Sequence, residues 1–376
     1  MSALRERILA VYWGETPDVV PYMLDLSHWF YEKEKRPWDL SKSYKEPERD
    51  LIACHKRLGV GFYMPNLASF YTAACRDDVE ASVSATEKDG ARTIAWAYET
   101  PIGKVARTRV WNEQTYSWHI RDRSVKTERD IEVLGYALSG MTFTPRWDRY
   151  RAWVDEVGDM GVVYLPAGYS AMGHLLHYWM GVEGTILAAH EWPETLREVV
   201  DRINDNLLDL VDLLAESPAE VVIMGDNFSG DIQPPAFFDK WSRPYYEEAV
   251  RRLHSKGKYV AVHIDGRLRG AIRMIRETGA DCGDAITPRP TGDLTMEECR
   301  EEAGPDFILS GGVPPVMWLP NVSDGEFESC VLNLLELRRR SPRLIANAGD
   351  QVPPGALEHR IERMRDLVEE CGRRGI

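Results

Sequence analysis

The chain has 376 residues, 44% of them hydrophobic and 28% charged, a composition that excludes a disordered or collagen-like protein. The formal net charge of −14 disfavours binding to nucleic acid or to an anionic membrane surface. No run of about 18 apolar residues predicts a transmembrane helix, and the charged N-terminus is not typical of a signal peptide. Six scattered cysteines without a CxxC pair indicate reduced thiols, so we expect a cytoplasmic protein.

Eight short apolar runs predict strands that are buried on both faces, as in a parallel sheet. Helical patterns follow most of them. The clearest covers residues 195–216, and Thr295 with Glu298 has the form of a capping box at the start of another. This alternation predicts one domain, residues 1–376, folded as a (β/α)8 TIM barrel with an N-terminal extension. The predicted strands are residues 20–25, 61–65, 162–166, 221–225, 259–264, 281–286, 307–311 and 344–347.

The second and third predicted strands are separated by about a hundred residues. Residues 92–100 and 104–111 alternate apolar and polar side chains on either side of Pro101 and Gly103. This pattern predicts a β-hairpin, and we interpret residues 85–120, approximately, as an insertion on the barrel.

Carboxylates end several of the predicted strands. Catalytic groups of barrel enzymes lie at the carboxyl ends of strands, so we expect these side chains to converge on one mouth. An Asp at a strand end also commonly caps a helix or makes a turn, and that structural role stays open for each residue. The candidate catalytic residues are Asp25, Asp226, His263 and Asp265, and the candidate substrate-binding residues are His28, Trp29, His177, Asn227, Asp284 and Arg289.

The spacing of His263 and Asp265 places both side chains on one side of a strand. An imidazole beside a carboxylate suits a metal site or an acid–base pair, and a buried structural salt bridge is the alternative. His174 and His177 form an i, i+3 pair on a predicted helix, which either lines the pocket or packs half-buried. A group of N-terminal aromatic residues either walls the pocket or fills the core: Trp13, Tyr22, Trp29, Phe30, Tyr31 and Trp38.

Four motifs together resemble the uroporphyrinogen decarboxylase superfamily, which also contains methyltransferases that work with corrinoid proteins. They are Gly-Asp-Asn at 225–227, His-Ile-Asp-Gly at 263–266, Ser-Gly-Gly-Val-Pro at 310–314, and Asn-Ala-Gly-Asp-Gln at 347–351. The resemblance covers roughly residues 195–370 and implies a (β/α)8 barrel, the fold that the strand count predicts independently.

The chain departs from the decarboxylases after the first predicted strand. Those enzymes carry arginines there that grip the carboxylates of the substrate, whereas residues 23–28 contain no arginine and Asp25 would repel a polycarboxylate. The resemblance therefore implies a methyltransferase that moves a methyl group between a small methylated substrate and a corrinoid protein or tetrahydrofolate. A decarboxylase or related lyase acting on a different acid is the alternative, and a non-enzymatic tetrapyrrole or corrinoid carrier is a third reading.

The methyltransferase branch also implies a metal site. Its zinc is bound by a His-x-Cys pair and a later Cys. His263 matches the histidine, while Asp265 and, approximately, Asp350 stand at the cysteine positions. Carboxylates in place of thiolates favour a divalent ion that is zinc or harder, and a metal-free acid–base role stays equally open. The expected partners are a small-molecule substrate and either a corrinoid protein or a second copy of the chain in a homodimer.

Overall fold

The computed structural model describes residues 3–373, in which helices and strands alternate along the chain. The strands are β1 (Tyr71–Ala74), β2 (Glu80–Lys88), β3 (Ala91–Thr100), β4 (Gly103–Asn112), β5 (Ser117–Arg123), β6 (Thr142–Pro145), β7 (Leu165–Gly168), β8 (Val221–Phe228), β9 (Tyr259–Ile264), β10 (Cys282–Ile286), β11 (Ile308–Val313) and β12 (Leu344–Ala348). The helices are α1 (Leu4–Tyr12), α2 (Ser27–Lys33), α3 (Arg49–Leu58), α4 (Glu128–Leu138), α5 (Trp147–Val157), α6 (Ala171–Gly173), α7 (Gly181–Glu191), α8 (Pro193–Ala215), α9 (Pro235–Trp241), α10 (Arg243–Ser255), α11 (Ala271–Glu277), α12 (Met296–Ala303), α13 (Asp324–Glu336) and α14 (Glu358–Cys371), with a π-helical turn at His174–Trp179.

Strands β7 to β12 form a parallel sheet in which neighbours in the chain are neighbours in space. Two further segments continue the sheet through single parallel bridges: Tyr22 pairs with Ala346, Met23 with Gly61, and Phe62 with Gly161. These bridges place residues 20–25 and 61–65 between β12 and the start of the β7 segment. All eight predicted strand positions are therefore occupied, and the predicted (β/α)8 TIM barrel is confirmed.

Helices cover the outside of the barrel and begin where their sequences favour it. Helix α8 has Pro193 in its first turn, where the missing N–H costs no hydrogen bond. Helix α12 starts at the predicted capping box, because the Thr295 backbone N–H donates to Glu298 Oε2 at 2.8 Å and Thr295 Oγ1 accepts from the Glu298 backbone N–H at 3.2 Å. The start of α12 is thus confirmed.

The N-terminal extension forms α1, which packs against the interior of the barrel. Its residues Ile8 and Val11 are fully buried, in one cluster with the interior side chains of the barrel strands. Several of those partners begin their strands, so α1 lies at the amino end of the barrel, opposite the end where active sites of this fold occur. Within residues 3–373, no helix combines the length and the apolar character needed to cross a membrane.

The predicted hairpin is present and belongs to a larger unit. Strands β3 and β4 pair antiparallel with Thr100 opposite Gly103, so that Pro101 and Ile102 form the turn. Strands β2 and β5 add to its two edges and complete a four-stranded antiparallel sheet, here called the inserted sheet. Val105 of β4 is fully buried in a second core cluster with residues of α4 and α8, which fixes the inserted sheet to the barrel.

Candidate functional site

A cavity of about 790 Å³ opens at the carboxyl ends of the barrel strands. One part of its wall comes from the inserted sheet and the π-helical turn, and the other comes from polar side chains that follow the strands. The structure brings six of the predicted site residues together in this wall: Asp25, Asn227, His263, Asp265, Asp284 and Asp350.

His263 and Asp284 are direct neighbours on the adjacent strands β9 and β10. His263 Nδ1 donates to Asp284 Oδ2 at 3.3 Å, and the Asp284 side chain is only 2% exposed. Burial lowers the pKa of His263, but the hydrogen bond and charge of Asp284, together with nearby Asp350 and Asp265, outweigh it and raise the pKa to about 9. The shift favours the protonated imidazolium form of His263.

The other ring nitrogen of His263, Nε2, makes no hydrogen bond within residues 3–373. With Nδ1 committed to Asp284, Nε2 is the N–H that a bound ligand can reach. Behind this pair, Ser310 Oγ donates to Asp284 Oδ1 at 3.1 Å, and Asn347 Nδ2 donates to Ser310 Oγ at 3.1 Å. This chain of hydrogen bonds across β10, β11 and β12 fixes the orientation of the imidazolium.

Asp25 is the last residue of the first barrel segment and is 6% exposed. Its carboxylate accepts hydrogen bonds from the Ser27 backbone N–H at 2.9 Å, from Gln351 Nε2 at 3.2 Å, and from the side chain of Asn66. Neutral donors from three loops therefore hold Asp25 in the wall of the cavity without a cationic partner.

Asp350 faces the same space as His263. Burial raises its pKa to about 6; the charges of Asp265 and Asp25 act in the same direction and the imidazolium of His263 opposes them. The polar end of the cavity thus holds several carboxylates around one imidazolium. Such a wall repels a substrate that would place additional carboxylates there.

Asp226, a predicted catalytic residue, does not line the cavity. Strand β8 alternates its side chains, so Gly225 and Asn227 face the cavity while Asp226 is fully buried in the wall behind it. Its carboxylate accepts from the Ser170 backbone N–H at 2.6 Å, from the Ser170 hydroxyl, and from Tyr246 Oη at 2.8 Å. Burial raises the pKa of Asp226, although these hydrogen bonds oppose the shift.

Four predicted substrate-binding residues also lie outside the cavity wall. His28 Nε2 donates to the carbonyl of Tyr116 at 3.0 Å, which ties α2 to the inserted sheet. Trp29 Nε1 donates to the Ala356 carbonyl at 3.0 Å and is buried in the main core. Arg289 donates to the Asp293 carbonyl at 3.1 Å in the loop after β10. His177 lies beside buried Asp226, and it is His174 of this pair that lines the cavity.

The N-terminal aromatic residues do not line the cavity, and core packing is the alternative that most of them follow. Tyr22, Trp29, Phe30 and Tyr31 are buried, Trp38 packs partly buried beside Tyr31, and Trp13 is 51% exposed. The aromatic wall comes from other elements. Tyr169 is central to it: its ring centroid lies 4.7 Å from that of Tyr178, and its hydroxyl donates to Asn227 Oδ1 at 3.3 Å. The aromatic lining residues are Tyr63, Tyr71, Tyr98, Phe143, Tyr169 and Tyr178.

Other polar residues that line the cavity were not among the predicted site residues. Asn66 and Gln351 were detectable, because each follows a predicted strand position or a recognised strand-end carboxylate directly. Arg107 was detectable as well. Val105, Arg107 and Arg109 are spaced two residues apart, so they lie on one face of the predicted hairpin. What the pattern could not indicate is that this face turns toward the barrel mouth.

The predicted metal ligands His263, Asp265 and Asp350 share the cavity but do not form a ligand set. Among residues 3–373, no group of three or more His, Cys, Asp and Glu side chains is arranged to hold a metal ion. The divalent-metal site at His263, Asp265 and Asp350 therefore remains a prediction from the resemblance.

Comparisons with known proteins identify the family to which the chain belongs. The uroporphyrinogen decarboxylase (URO-D) family matches residues 161–371. Uroporphyrinogen decarboxylase from Synechococcus sp. (strain CC9605) is 25% identical over 176 residues, which are 45% of this chain and 46% of that protein. The chloroplastic uroporphyrinogen decarboxylase 1 of Oryza sativa subsp. japonica is 23% identical over 161 residues, 42% of this chain and 38% of that protein. These alignments span less than half the length of either relative.

The whole fold matches a solved structure. A methyltransferase from Methanosarcina mazei superposes with a TM-score of 0.63 at 12% sequence identity, covering 98% of this chain and 99% of the other. At this identity the similarity establishes the barrel fold alone. The fold and site thus define an α/β-barrel protein with a cavity at the carboxyl end of its strands. Because the family match spans more than half of the chain, the protein belongs to the uroporphyrinogen decarboxylase family, which indicates an enzyme.

Proposed function

We propose that the protein is a methyltransferase that moves a methyl group from a small methylated substrate to a corrinoid protein or tetrahydrofolate. The observation that carries the proposal is the 3.3 Å contact between His263 Nδ1 and Asp284 Oδ2 in the cavity wall, which leaves Nε2 as the ring nitrogen available to a ligand. Methyl transfer leaves an electron pair on the oxygen, nitrogen or sulfur atom of the demethylated product. A positioned N–H donor can neutralise that charge as it develops.

In the proposed step, the bond between the methyl carbon and the substrate heteroatom breaks, and the electron pair stays on the heteroatom. His263 Nε2 gives its proton to that atom, while the methyl group forms its new bond with the nucleophilic acceptor. Asp284 stabilises the imidazolium before the step and holds the ring afterwards. Asp25 and Asn227 also line the cavity, and we assign them contacts with the substrate.

The charge of the polar end supports methyl transfer over decarboxylation of a porphyrinogen. Asp25, Asp265 and Asp350 all face the region of His263 that a substrate would occupy. A substrate with several carboxylates would meet these groups at short range, in a partly buried space where repulsion is strong. A methoxy, methylamino or methylthio group carries no negative charge and meets no such penalty.

The test is a methyl-transfer assay on the purified chain with reduced corrinoid protein or tetrahydrofolate and a panel of methoxy and methylamine compounds. We expect at least one compound to be demethylated, and His263→Gln to lower the rate by about 10²- to 10⁴-fold because the proton donor is lost. His359→Gln is the matched control, since that histidine pairs with Asp324 on the exposed outer surface. If no compound in the panel is demethylated, the proposal fails.

The family match favours a second candidate, a decarboxylase or related lyase acting on a different acid. Asp25 and Asp265 would then manage protons around the carbon that loses carbon dioxide. Carbon dioxide release from a panel of acids, without a methyl acceptor present, would identify this activity. Metal analysis of the same preparation tests the predicted metal site. A stoichiometric ion that is lost in His263→Gln would favour a metal-dependent mechanism over proton transfer from His263.

A further inference from the structure

Three arginines lie together on the face of the inserted sheet that is turned toward the barrel. In the antiparallel register, Arg107 of β4 stands directly opposite Arg123 of β5. Arg109 follows two residues after Arg107, so that its side chain is on the same face. Like charges that face each other across two strands destabilise a sheet, and an adjacent third cation adds to the repulsion.

None of these arginines has an anionic partner in the part of the chain that the structure describes. The ion pairs within residues 3–373 include no carboxylate within 4.0 Å of Arg107, Arg109 or Arg123. Their guanidinium groups also donate no hydrogen bond to protein there, and the Nε atom of each is buried without a partner. His174 Nδ1, from the π-helical turn packed on the sheet, is likewise buried without a partner.

Aromatic rings flank the cluster but do not satisfy its donors. The Cζ atom of Arg107 lies 4.4 Å from the ring centroid of Tyr178 and 4.5 Å from that of Trp96, and Arg109 Cζ lies 5.1 Å from Tyr178. These contacts cover the faces of the planar guanidinium groups, whereas the N–H donors point outward in the plane. The rings therefore orient the arginines and leave their hydrogen bonds unmade.

The cluster borders the cavity of the candidate site. Arg107, His174 and Tyr178 line the same cavity as His263 and Asp25. Tyr169 lies between the two groups, with its ring near Tyr178 and its hydroxyl bonded to Asn227. The cavity thus has an acidic end at the strands and a cationic end at the inserted sheet.

Unpaired, partly buried guanidinium groups are costly, and the repulsion between Arg107 and Arg123 adds to that cost. Burial, together with the charge of neighbouring Arg109, lowers the pKa of Arg107 to about 10. An oxyanion placed among the three groups would satisfy their donors and remove the repulsion, because the guanidinium fork matches carboxylate and phosphate oxygens.

We infer that Arg107, which lines the cavity wall, forms an oxyanion-binding site with its neighbours Arg109 and Arg123, and that this site holds a carboxylate, sulfonate or phosphate group of the ligand. His174 and Tyr178 border the site from the π-helical turn. The other end of the same ligand then reaches the acidic end of the cavity, at His263. The inference is about binding and does not depend on which reaction the protein catalyses.

The test compares 4-methoxybenzoate with its uncharged isostere 4-methoxybenzamide by calorimetric titration of the full-length protein, with inorganic phosphate as a third probe. In the wild type we expect the carboxylate to bind at least about tenfold more tightly than the amide, because charge-assisted hydrogen bonds form with the acid alone. Arg107→Gln and the double variant Arg107→Gln, Arg109→Gln should remove that preference. Arg121→Gln is the matched control, since Arg121 lies on β5 but is 62% exposed and faces Asp122.

The wild-type comparison needs no variant to fold, and circular dichroism of each variant checks that it does. Phosphate binding that disappears in the arginine variants also supports the site and indicates that its shape accepts a tetrahedral anion. Equal affinity for acid and amide, a preference that survives the double variant, or no binding of the acid or phosphate up to about 10 mM would each overturn the inference. Since none of these measurements uses turnover, their failure is distinct from failure of the methyl-transfer assay.

Discussion

At the scale of single residues, the direction of a side chain along its strand decides its role. Asp226 and His263 both stand near the carboxyl ends of neighbouring strands, β8 and β9. His263 faces the cavity, whereas Asp226 faces Ser170 and Tyr246 behind the wall. We therefore assign Asp226 a positioning role: it holds the turn before α6 against β8.

Replacing Asp226 should affect stability first. Asp226→Ala leaves the Ser170 backbone N–H, the Ser170 hydroxyl and the Tyr246 hydroxyl without their acceptor, so we expect the free energy of unfolding to fall by roughly 2–5 kcal/mol. Asp265→Ala, in the cavity wall, should leave unfolding nearly unchanged and reduce turnover. Urea unfolding and activity measured on both variants check this. A stable but inactive Asp226→Ala protein would instead support the predicted catalytic role of Asp226.

The free energy of unfolding should depend on pH through the protonation of buried His55. Its side chain is 1% exposed, its Nδ1 donates to the Val60 carbonyl at 3.3 Å, and burial lowers its pKa to about 4. Between about pH 6.5 and pH 4 the unfolded chain binds a proton at this histidine and the folded chain does not, so stability falls as the pH falls.

The difference in pKa corresponds to roughly 3 kcal/mol of stability lost across that window. Urea unfolding at pH 7 and at pH 5 should show a smaller loss in His55→Gln than in the wild type. The residual loss arises from other groups, among them His174, whose pKa burial and Arg107 lower to about 4. His119→Gln, at an exposed position of β5, should behave as wild type. An equal loss in His55→Gln would contradict the assignment.

The sequence supplies part of this site and not the rest, for a physical reason. Strand ends are readable from apolar runs, which is why Asp25, His263 and Asp284 could be placed at one mouth. Which side chains of β8 face the cavity could not be predicted. The strand is buried on both faces and its first residues are continuously apolar, so no alternation distinguishes Asp226 from Asn227. The partner of His263 is set by the register of β9 and β10, which no local pattern encodes.

At the scale of elements, the inserted sheet depends on close packing between α4 and α8. A Cβ atom added at Gly135 of α4 would lie 2.8 and 2.9 Å from the two methyl groups of Val199 in α8. Real Cβ atoms do not approach carbon atoms this closely, and a β-branched side chain has little freedom to move away. The absence of a side chain at Gly135 therefore allows the two helices to touch.

Gly135→Ala should lower the free energy of unfolding by about 1–3 kcal/mol, although alanine is the better helix former. The penalty should shrink in a Val199→Ala background, because the clashing methyl groups are gone. Gly184→Ala in α7 is the matched control, since its nearest contact is an ordinary 3.5 Å to Met180 Cβ. A double-mutant cycle by chemical denaturation measures the coupling, and additive effects of the two substitutions would rule out the contact.

The inserted sheet was predictable from local sequence patterns only in part. The central hairpin was predictable, because β3 and β4 alternate around a Pro/Gly turn. Strand β2 was not, since it is exposed along its whole length and has no apolar face. Local sequence therefore indicated the hairpin but not its extension, and it could not show that the arginine face of β4 borders the cavity.

At the scale of the whole molecule, the barrel has two ends with different tasks. The amino end is closed by α1, whose apolar face completes the interior core. The carboxyl end holds the cavity, in which acidic residues lie at the strands and Arg107 lies at the inserted sheet. Part of the net charge of −14 is thus located around the candidate site.

Substitution at the closed end should destabilise the entire barrel. Ile8 is fully buried among residues of several strands, so we expect Ile8→Ala to lower the free energy of unfolding by about 2–5 kcal/mol. Leu332→Ala, at a position 38% exposed, should change it by less than about 0.5 kcal/mol. Tryptophan fluorescence and circular dichroism should shift together. Local fraying of α1 with an unchanged main transition would show that α1 is not part of the core.

Methyl transfer in this cavity can be tested directly by one measurement. The purified wild-type protein is incubated with a methylated substrate from the panel and with the methyl acceptor, and both products are quantified. We predict equal amounts of demethylated product and methylated acceptor, with both nearly abolished in His263→Gln. Carbon dioxide release from an acid without any methylated acceptor would contradict methyl transfer as the activity. Full methyl transfer by His263→Gln would contradict the role of His263 as the proton donor.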